Sequence, residues 1–401
     1  MTAKAASNLP VIIAGGGIGG LAAALALSRI GVASVVFEQA ARFSEIGAGI
    51  QIGPNAFYVF DKLGISPEIS EVAAFPDALV VNDGLDGRTI LHVPVGSTAK
   101  RRFGYPYGLV HRADLHNVLL QACRTSCLIE LISSSPVSRF EDHGSHVCIR
   151  LEDGTIRDGA ALIGADGLWS RVREHLVGDG KPRISGHIAY RAVLPIGDVP
   201  DANRTNNMTL WAGPKTHLVH YPLRRGELFN LVAVFHSDRY EEGWDTYGDP
   251  KELELRFRGT CPQVQNMLAK IDSWRMWVLC DREPISNWSR GRVTLLGDAA
   301  HPTLQYMAQG ACMAMEDALC LASMVRSGNG DYENAFLRYQ GTRYLRTARV
   351  QLTSRLYGHV YHAAGATRDL RNAYLETRTP QQFLDSNTWL YSPDEVAKHT
   401  E

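Results

Sequence analysis

Three groups of residues have the types and spacing to do chemistry. The first is Gly15-x-Gly17-x-x-Gly20, where the first glycine allows a tight turn, the second lets backbone approach a pyrophosphate and the third lets a helix pack closely on a strand. The helix N-terminus then faces the phosphates. Glu38 stands eighteen residues past Gly20, where an acid can accept hydrogen bonds from a ribose diol. The second group is a pair of acids that close apolar runs, Asp166 in Ala160-Leu-Ile-Gly-Ala-Asp166-Gly167 and Asp298 in Arg292-Val-Thr-Leu-Leu-Gly297-Asp298. An acid at a buried strand end can hold a sugar hydroxyl, and the helix start at Gly310-Ala311 offers its N–H groups to an anion. The third is Thr216-His217-Leu218-Val219-His220-Tyr221-Pro222. Read as a strand, it puts His217, Val219 and Tyr221 on one face and His220 on the other. His217 and Tyr221 would then lie about 13 Å apart at Cα, close enough for both side chains to lean over one small ring.

These groups need a scaffold. Val11 to Ala14 reads as a strand, about Gly19 to Ile30 as a helix and Ser34 to Glu38 as a second strand, a βαβ unit that implies parallel pairing. Ala160 to Gly164 and Val293 to Leu296 read as further buried strands of that sheet. Roughly Gly186 to Leu279 alternates β-branched and aromatic residues between turn signals such as Gly213-Pro214 and Arg224-Arg225-Gly226, which reads as an antiparallel sheet. Gly310 to Val325 and Tyr332 to Gly358 carry helical spacing, interrupted at Gly328-Asn329-Gly330.

Size and composition limit the function classes. The 401 residues exceed one ordinary core, while 45% hydrophobic and 21% charged residues suit a globular protein. A net charge of -1 gives no global reason to bind nucleic acid or an anionic membrane. Cysteines 123, 127, 148, 261, 280, 312 and 320 form an odd set without C-x-x-C, against a disulfide framework or a zinc site; no metal is expected, and a reducing cytoplasm fits. Leu9 to Leu27 carries no charge but is broken by five glycines, so a strand, turn and helix are expected there instead of a membrane span.

The glycine fingerprint alone does not separate FAD from NAD. With the Asp166-Gly167 and Gly297-Asp298-Ala-Ala-His301-Pro302 segments, however, the chain resembles the flavin-dependent aromatic hydroxylases, the single-component FAD monooxygenases. That resemblance implies an α/β fold: a Rossmann-like FAD-binding domain, an interleaved antiparallel-sheet substrate domain and C-terminal helices. The expected division is 1–75, 111–185 and 281–330 for FAD binding, 76–110 and 186–280 for substrate, and 331–401 as a helical region. By the same resemblance Asp166 and Gly167 serve both structure and nucleotide binding, and Gly15, Gly17, Gly20, Glu38, Arg42, Arg112 and Asp298 hold FAD. Gly47, Ala48 and Gly49 lie along its isoalloxazine, where larger side chains would collide with the ring, and Gly310 and Ala311 face its pyrimidine oxygens.

Monooxygenase, dehydrogenase or oxidase, and noncatalytic flavin module remain the classes to separate. There is no second G-x-G-x-x-G after a strand, in keeping with a family in which NADH visits transiently. His301 to Gly310 and Trp389-Leu390-Tyr391-Ser392-Pro393 look most like the members that hydroxylate 3-hydroxybenzoate para to its phenol. Members acting on salicylate or 6-hydroxynicotinate usually show Pro-His where Leu304-Gln305 stands. The resemblance implies His217 as the base that ionises the phenol, Tyr221 and Gln305 as orienting groups and Tyr105 as a carboxylate ligand. His301 is expected to shape its turn. Partners would be a small aromatic acid, NADH and O2, with a possible homodimer through the C-terminal helices.

Overall fold

The computed structural model describes residues 9–45, 47–237 and 246–400. A six-stranded sheet runs in the order Ser289–Arg290, Val293–Leu295, Ala161–Gly164, Val11–Ala14, Ser34–Phe37, Ile129–Ile132. All neighbours are parallel except the short edge pair. Val11–Ala14 is buried along its whole length, as a central strand covered on both faces must be. Helix Ile18–Arg29 is apolar on every side because it lies between this sheet and helices Arg112–Arg124 and Gly310–Gly328. The uncharged run from Leu9 to Leu27 is therefore core. Among the described residues no helix is long and apolar enough to cross a membrane.

The second sheet has eight strands, in the order Thr246–Tyr247, Arg275–Asp281, Arg183–Pro195, Leu228–His236, Thr216–Leu223, Asn207–Gly213, Ala78–Asp83, Thr89–Pro94. Only Asn207–Gly213 with Ala78–Asp83 pairs in parallel. Thr216–Leu223 is buried at every position. Its two faces serve different cores, as a period of two requires: Val219, Tyr221 and Leu223 pack with Tyr107 and Leu109, and Leu218 packs with Phe229 and Trp274.

Two helices, Gly310–Gly328 and Tyr332–Tyr361, follow the Asp298 strand end, separated by a turn with Asn329 at φ 46°. They are joined by buried charge. Arg343 donates to Glu316 and Asp317 at 2.7 Å, and Arg346 donates to Glu316 at 2.6 Å. Two carboxylates meet two guanidiniums, so the cluster is neutral as a whole, the condition under which buried charge is tolerated. Burial alone would raise the Glu316 carboxyl, but Arg346 and Arg343 pull it down to about 2. A further buried acid, Asp83, accepts from Arg368, Arg371 and Asn372 and ties helix Gly365–Glu376 to the large sheet.

Candidate active site

At the C-terminal end of the parallel sheet the fingerprint glycines each answer a different contact. Gly15 has φ +107°, and a Cβ there would stand 2.3 Å from the Ala165 carbonyl oxygen; a Cβ on Gly20 would stand 1.9 Å from that of Gly15. Both are required by packing. A Cβ on Gly17 would meet only Glu45 Oε1, at 3.6 Å, so this glycine faces open space, as backbone approached by a pyrophosphate should. The Glu38 carboxylate accepts from the Gly16 N–H at 2.7 Å and the Ala40 N–H at 2.8 Å, which fixes it beside the loop with lone pairs to spare for a diol.

Helix Ile18–Arg29 starts with no side-chain cap and no acid in its first turn, and so does Gly310–Gly328. Two helix N-termini thus offer bare N–H groups to anionic ligand atoms. Solvent reaches the side chain of Asp298, yet the protein around it pushes its carboxyl above the usual range against the pull of Arg112 and His301. Among the described residues it has no hydrogen-bond donor, as expected of a cleft acid meant for a ligand hydroxyl. Gly310 stands beside it, its Cβ position 3.8 Å from Asp298 Oδ1. Arg112 opens helix Arg112–Arg124; its side chain donates to Glu45 at 3.1 Å and its backbone N–H donates to the Ala48 carbonyl at 2.8 Å. Open glycine, unpartnered acid and bare helix starts together fit FAD.

Asp166 stands apart from this pattern. Its carboxylate accepts from the Ser170 hydroxyl and from the N–H groups of Arg171 and Val172 at 2.8 and 3.1 Å, so it holds the start of helix Arg171–Leu176. The side chain thus has the structural half of its expected role. Arg42, Gly47 and Ala311 lie on the loop and helix start of the same region: Arg42 and Gly47 are exposed, Ala48 is buried and Ala311 is half-buried. His301 is buried against Asp317 at 2.6 Å, and Asp317 also receives the Gly297 N–H at 3.0 Å. It shapes the turn that carries Asp298.

The substrate side adjoins the cradle through Gly49. Its N–H donates to Asn230 Oδ1 at 2.8 Å, and a Cβ on it would stand 2.6 Å from Tyr221 Cε2. Tyr221 is buried, which pushes its phenol well above the usual range, moderated by Arg191. Arg191 donates to Gln305 Oε1 and stacks 5.3 Å from the centre of the Trp277 ring; burial lowers the guanidinium to about 10. This cation was not foreseen, because strand alternation marks its side but not its neighbours.

Tyr105 has a partner of its own. Its hydroxyl donates to Asp61 at 3.2 Å and its ring packs on Tyr58, so it neighbours a carboxylate that would repel a substrate acid. Tyr107, two residues on, is the buried one: its hydroxyl donates to Gln51 Oε1 at 2.6 Å, and Tyr221, Tyr361, Tyr391 and Cys312 lie within electrostatic reach.

His217 is buried and its imidazole is held down to about 3, by burial first and then by His187 and His236. Its Nδ1 is 2.7 Å from His362 Nε2, and His362 Nδ1 is 2.9 Å from His236 Nε2. His187 stacks on His236 at 4.3 Å and its Nδ1 meets the Tyr306 hydroxyl. His187, His236 and His362 each place a nitrogen within 4.8 Å of the others, a set able to hold a metal ion that the cysteine pattern gave no reason to expect. His220 is on the opposite face and receives the Trp211 indole N–H at 2.9 Å.

Comparison with known proteins places this geometry. The FAD binding domain family matches residues 8–350. The chain is 48% identical to 3-hydroxybenzoate 6-hydroxylase of Polaromonas naphthalenivorans (strain CJ2), covering 96% of each. It is 44% identical to 3-hydroxybenzoate 6-hydroxylase 1 of Aquipseudomonas alcaligenes, covering 97% of this chain and 99% of that one. The solved structure of Klebsiella pneumoniae HpxO complexed with FAD and uric acid superposes with a TM-score of 0.85 at 26% identity, over 97% of each chain.

Proposed function

This chain belongs to the single-component flavin-dependent aromatic hydroxylases, and on that premise we propose that it converts 3-hydroxybenzoate, with NADH and O2, into 2,5-dihydroxybenzoate. The observation that carries the reading is the imidazole of His217 and the phenol of Tyr221 on one buried face of strand Thr216–Leu223, with Tyr221 against Gly49 at the edge of the FAD cradle. FAD, when bound, takes two electrons from NADH and uses them to activate O2, one oxygen atom of which goes to the ring.

The rest is done by side chains. A phenol of pKa near 10 costs about 4 kcal/mol to ionise at pH 7, and its para carbon is nucleophilic only as it ionises. His217 Nε2, the nitrogen not engaged with His362, takes that proton. Tyr221 keeps its own proton, since burial holds its phenol high, and so donates a hydrogen bond to the substrate oxygen. With its Oε1 accepting from Arg191, Gln305 has its amide N–H groups left to orient the ring. The Arg191 charge favours an anionic substrate beside it.

Leu345, Leu352 and Leu356 are exposed at 72, 51 and 58% on one side of helix Tyr332–Tyr361. Their spacing of seven and four forms a stripe that suits a homodimer, and sedimentation of Leu345→Glu/Leu352→Glu is expected to show monomers where the parent shows dimers. The cytoplasm is the proposed location. The function is tested by NADH oxidation and product analysis with a panel of hydroxybenzoates. Stimulation by 3-hydroxybenzoate with gentisate formed supports it; preferential turnover of salicylate or 6-hydroxynicotinate contradicts it.

A further inference from the structure

We infer that His217, His362 and His236 form a proton relay that carries the substrate's phenolic proton from the buried site to the protein surface. This rests on the proposed hydroxylation. The three rings are joined through two hydrogen bonds of 2.7 and 2.9 Å, each from a Nδ1 to the next Nε2. Such a chain passes a proton by exchanging tautomers. Its inner end is buried at His217, and its outer end, His236, is partly open to solvent. The backbone holds the rings in line: the Lys215 N–H donates to the His362 carbonyl at 3.1 Å, and the His236 N–H donates to the Lys215 carbonyl at 3.1 Å.

A relay answers a difficulty that the base alone leaves. The pocket around His217 contains His187, His236, His362, Tyr306 and Tyr361, with Lys215, Arg256 and His359 acting on its outer members. None of these is an acid. An imidazolium formed there would be buried with no counter-charge among the described residues, which is strongly unfavourable. In the relay the phenol O–H bond breaks and an N–H forms on His217 Nε2, while the His217 Nδ1 proton passes to His362 Nε2. The His362 Nδ1 proton passes to His236 Nε2, and the His236 Nδ1 proton goes to water. Each ring ends neutral in its other tautomer. The same bonds run in reverse when the product phenol is reprotonated, restoring the start. Both nitrogens of His362 serve these bonds, which favours a relay over a metal nest at this cluster.

His362 and His236 act through His217, so they are positioning residues in this scheme. The test compares His362→Gln and His236→Gln with the parent enzyme, both loaded with FAD and checked for fold by circular dichroism. Glutamine preserves hydrogen bonding but has no second tautomer to pass a proton. For His362→Gln, KM for 3-hydroxybenzoate is expected to stay within about threefold, and kcat for hydroxylation to fall about tenfold or more at pH 7. The deficit should close as pH approaches the phenol's own pKa of about 10. In substrate-free protein labelled with 15N-histidine, nitrogen–nitrogen coupling across both hydrogen bonds is expected in the parent and absent in His362→Gln. Parent-like kcat and pH profile in His362→Gln would overturn the relay alone. A parent enzyme that makes no gentisate would overturn the functional reading and the relay's role with it.

Discussion

The ring of Tyr221 occupies the space that a side chain on Gly49 would need: a Cβ there would stand 2.6 Å from Tyr221 Cε2 and 2.8 Å from Asn230 Cγ. Cofactor cradle and substrate strand therefore touch through a glycine, and anything that moves one moves the other. Gly49→Ala is expected to displace Tyr221 while leaving the remote fingerprint intact. Because displacements near 1 Å can cost about 10²-fold in a positioned reaction, hydroxylation should fall steeply while NADH consumption persists as peroxide. The ratio of gentisate formed to NADH consumed checks this, and a fully coupled Gly49→Ala enzyme would contradict it.

Acid should weaken the fold in two stages. Burial holds His217 and His220 at about 3 and His187 at about 4, against about 6.5 in an unfolded chain. Below pH 6.5 the unfolded state takes up protons that the folded state refuses, so stability is complete above that pH and declines down to about 3. The slope is about 1.4 kcal/mol per pH unit for each such histidine. A second loss follows from Glu316 and Asp317, both held down to about 2 by their arginine and histidine partners; their contribution is present above about 4 and fades as pH falls through about 2. Urea midpoints measured from pH 8 to pH 4 should begin to drop near 6.5. A midpoint flat down to pH 5 would contradict the neutral histidine cluster.

Arg343 bridges Glu316 and Asp317 with no exposed surface on any of the three side chains. Arg343→Met strands a buried carboxylate, and loss of one partner from such a cluster typically costs about 3–5 kcal/mol. Since Asp317 also fixes His301 and the Gly297 N–H, FAD content should fall with stability. Denaturant unfolding and the 450 nm absorbance per chain measure the two. A loss below about 1 kcal/mol, as for a surface pair, would contradict the account.

The sequence was most informative where one short segment does one job. Gly15 to Gly20 could be read because turn, ligand approach and helix packing each demand a missing side chain at a fixed offset, and strand alternation separated His217 and Tyr221 from His220. What escaped depends on elements far apart in the chain. His187 and His236 are register partners on neighbouring strands, and His362 arrives from the end of a helix; no local pattern brings them together. Arg191 meets Gln305 across 114 residues. Tyr105 and Tyr107 flank one proline and look alike in sequence, and only packing shows that Tyr107 is the buried one. The partners of Asp166, the Ser170 hydroxyl and the N–H groups of Arg171 and Val172, likewise come from packing of a following helix start.

His217, Tyr221 and Gln305 are proposed to hold a phenol so that oxygen enters para to it. Phenolate electronics activate ortho and para carbons alike, so product position reports geometry alone. The direct measurement is turnover of 3-hydroxybenzoate under 18O2 with NADH by the FAD-loaded enzyme, followed by mass spectrometry and NMR of the product. One labelled oxygen in 2,5-dihydroxybenzoate is expected, with the rate reduced about 10²- to 10⁴-fold in His217→Ala at neutral pH. A product labelled ortho to the phenol, or an undiminished rate in His217→Ala, would contradict it.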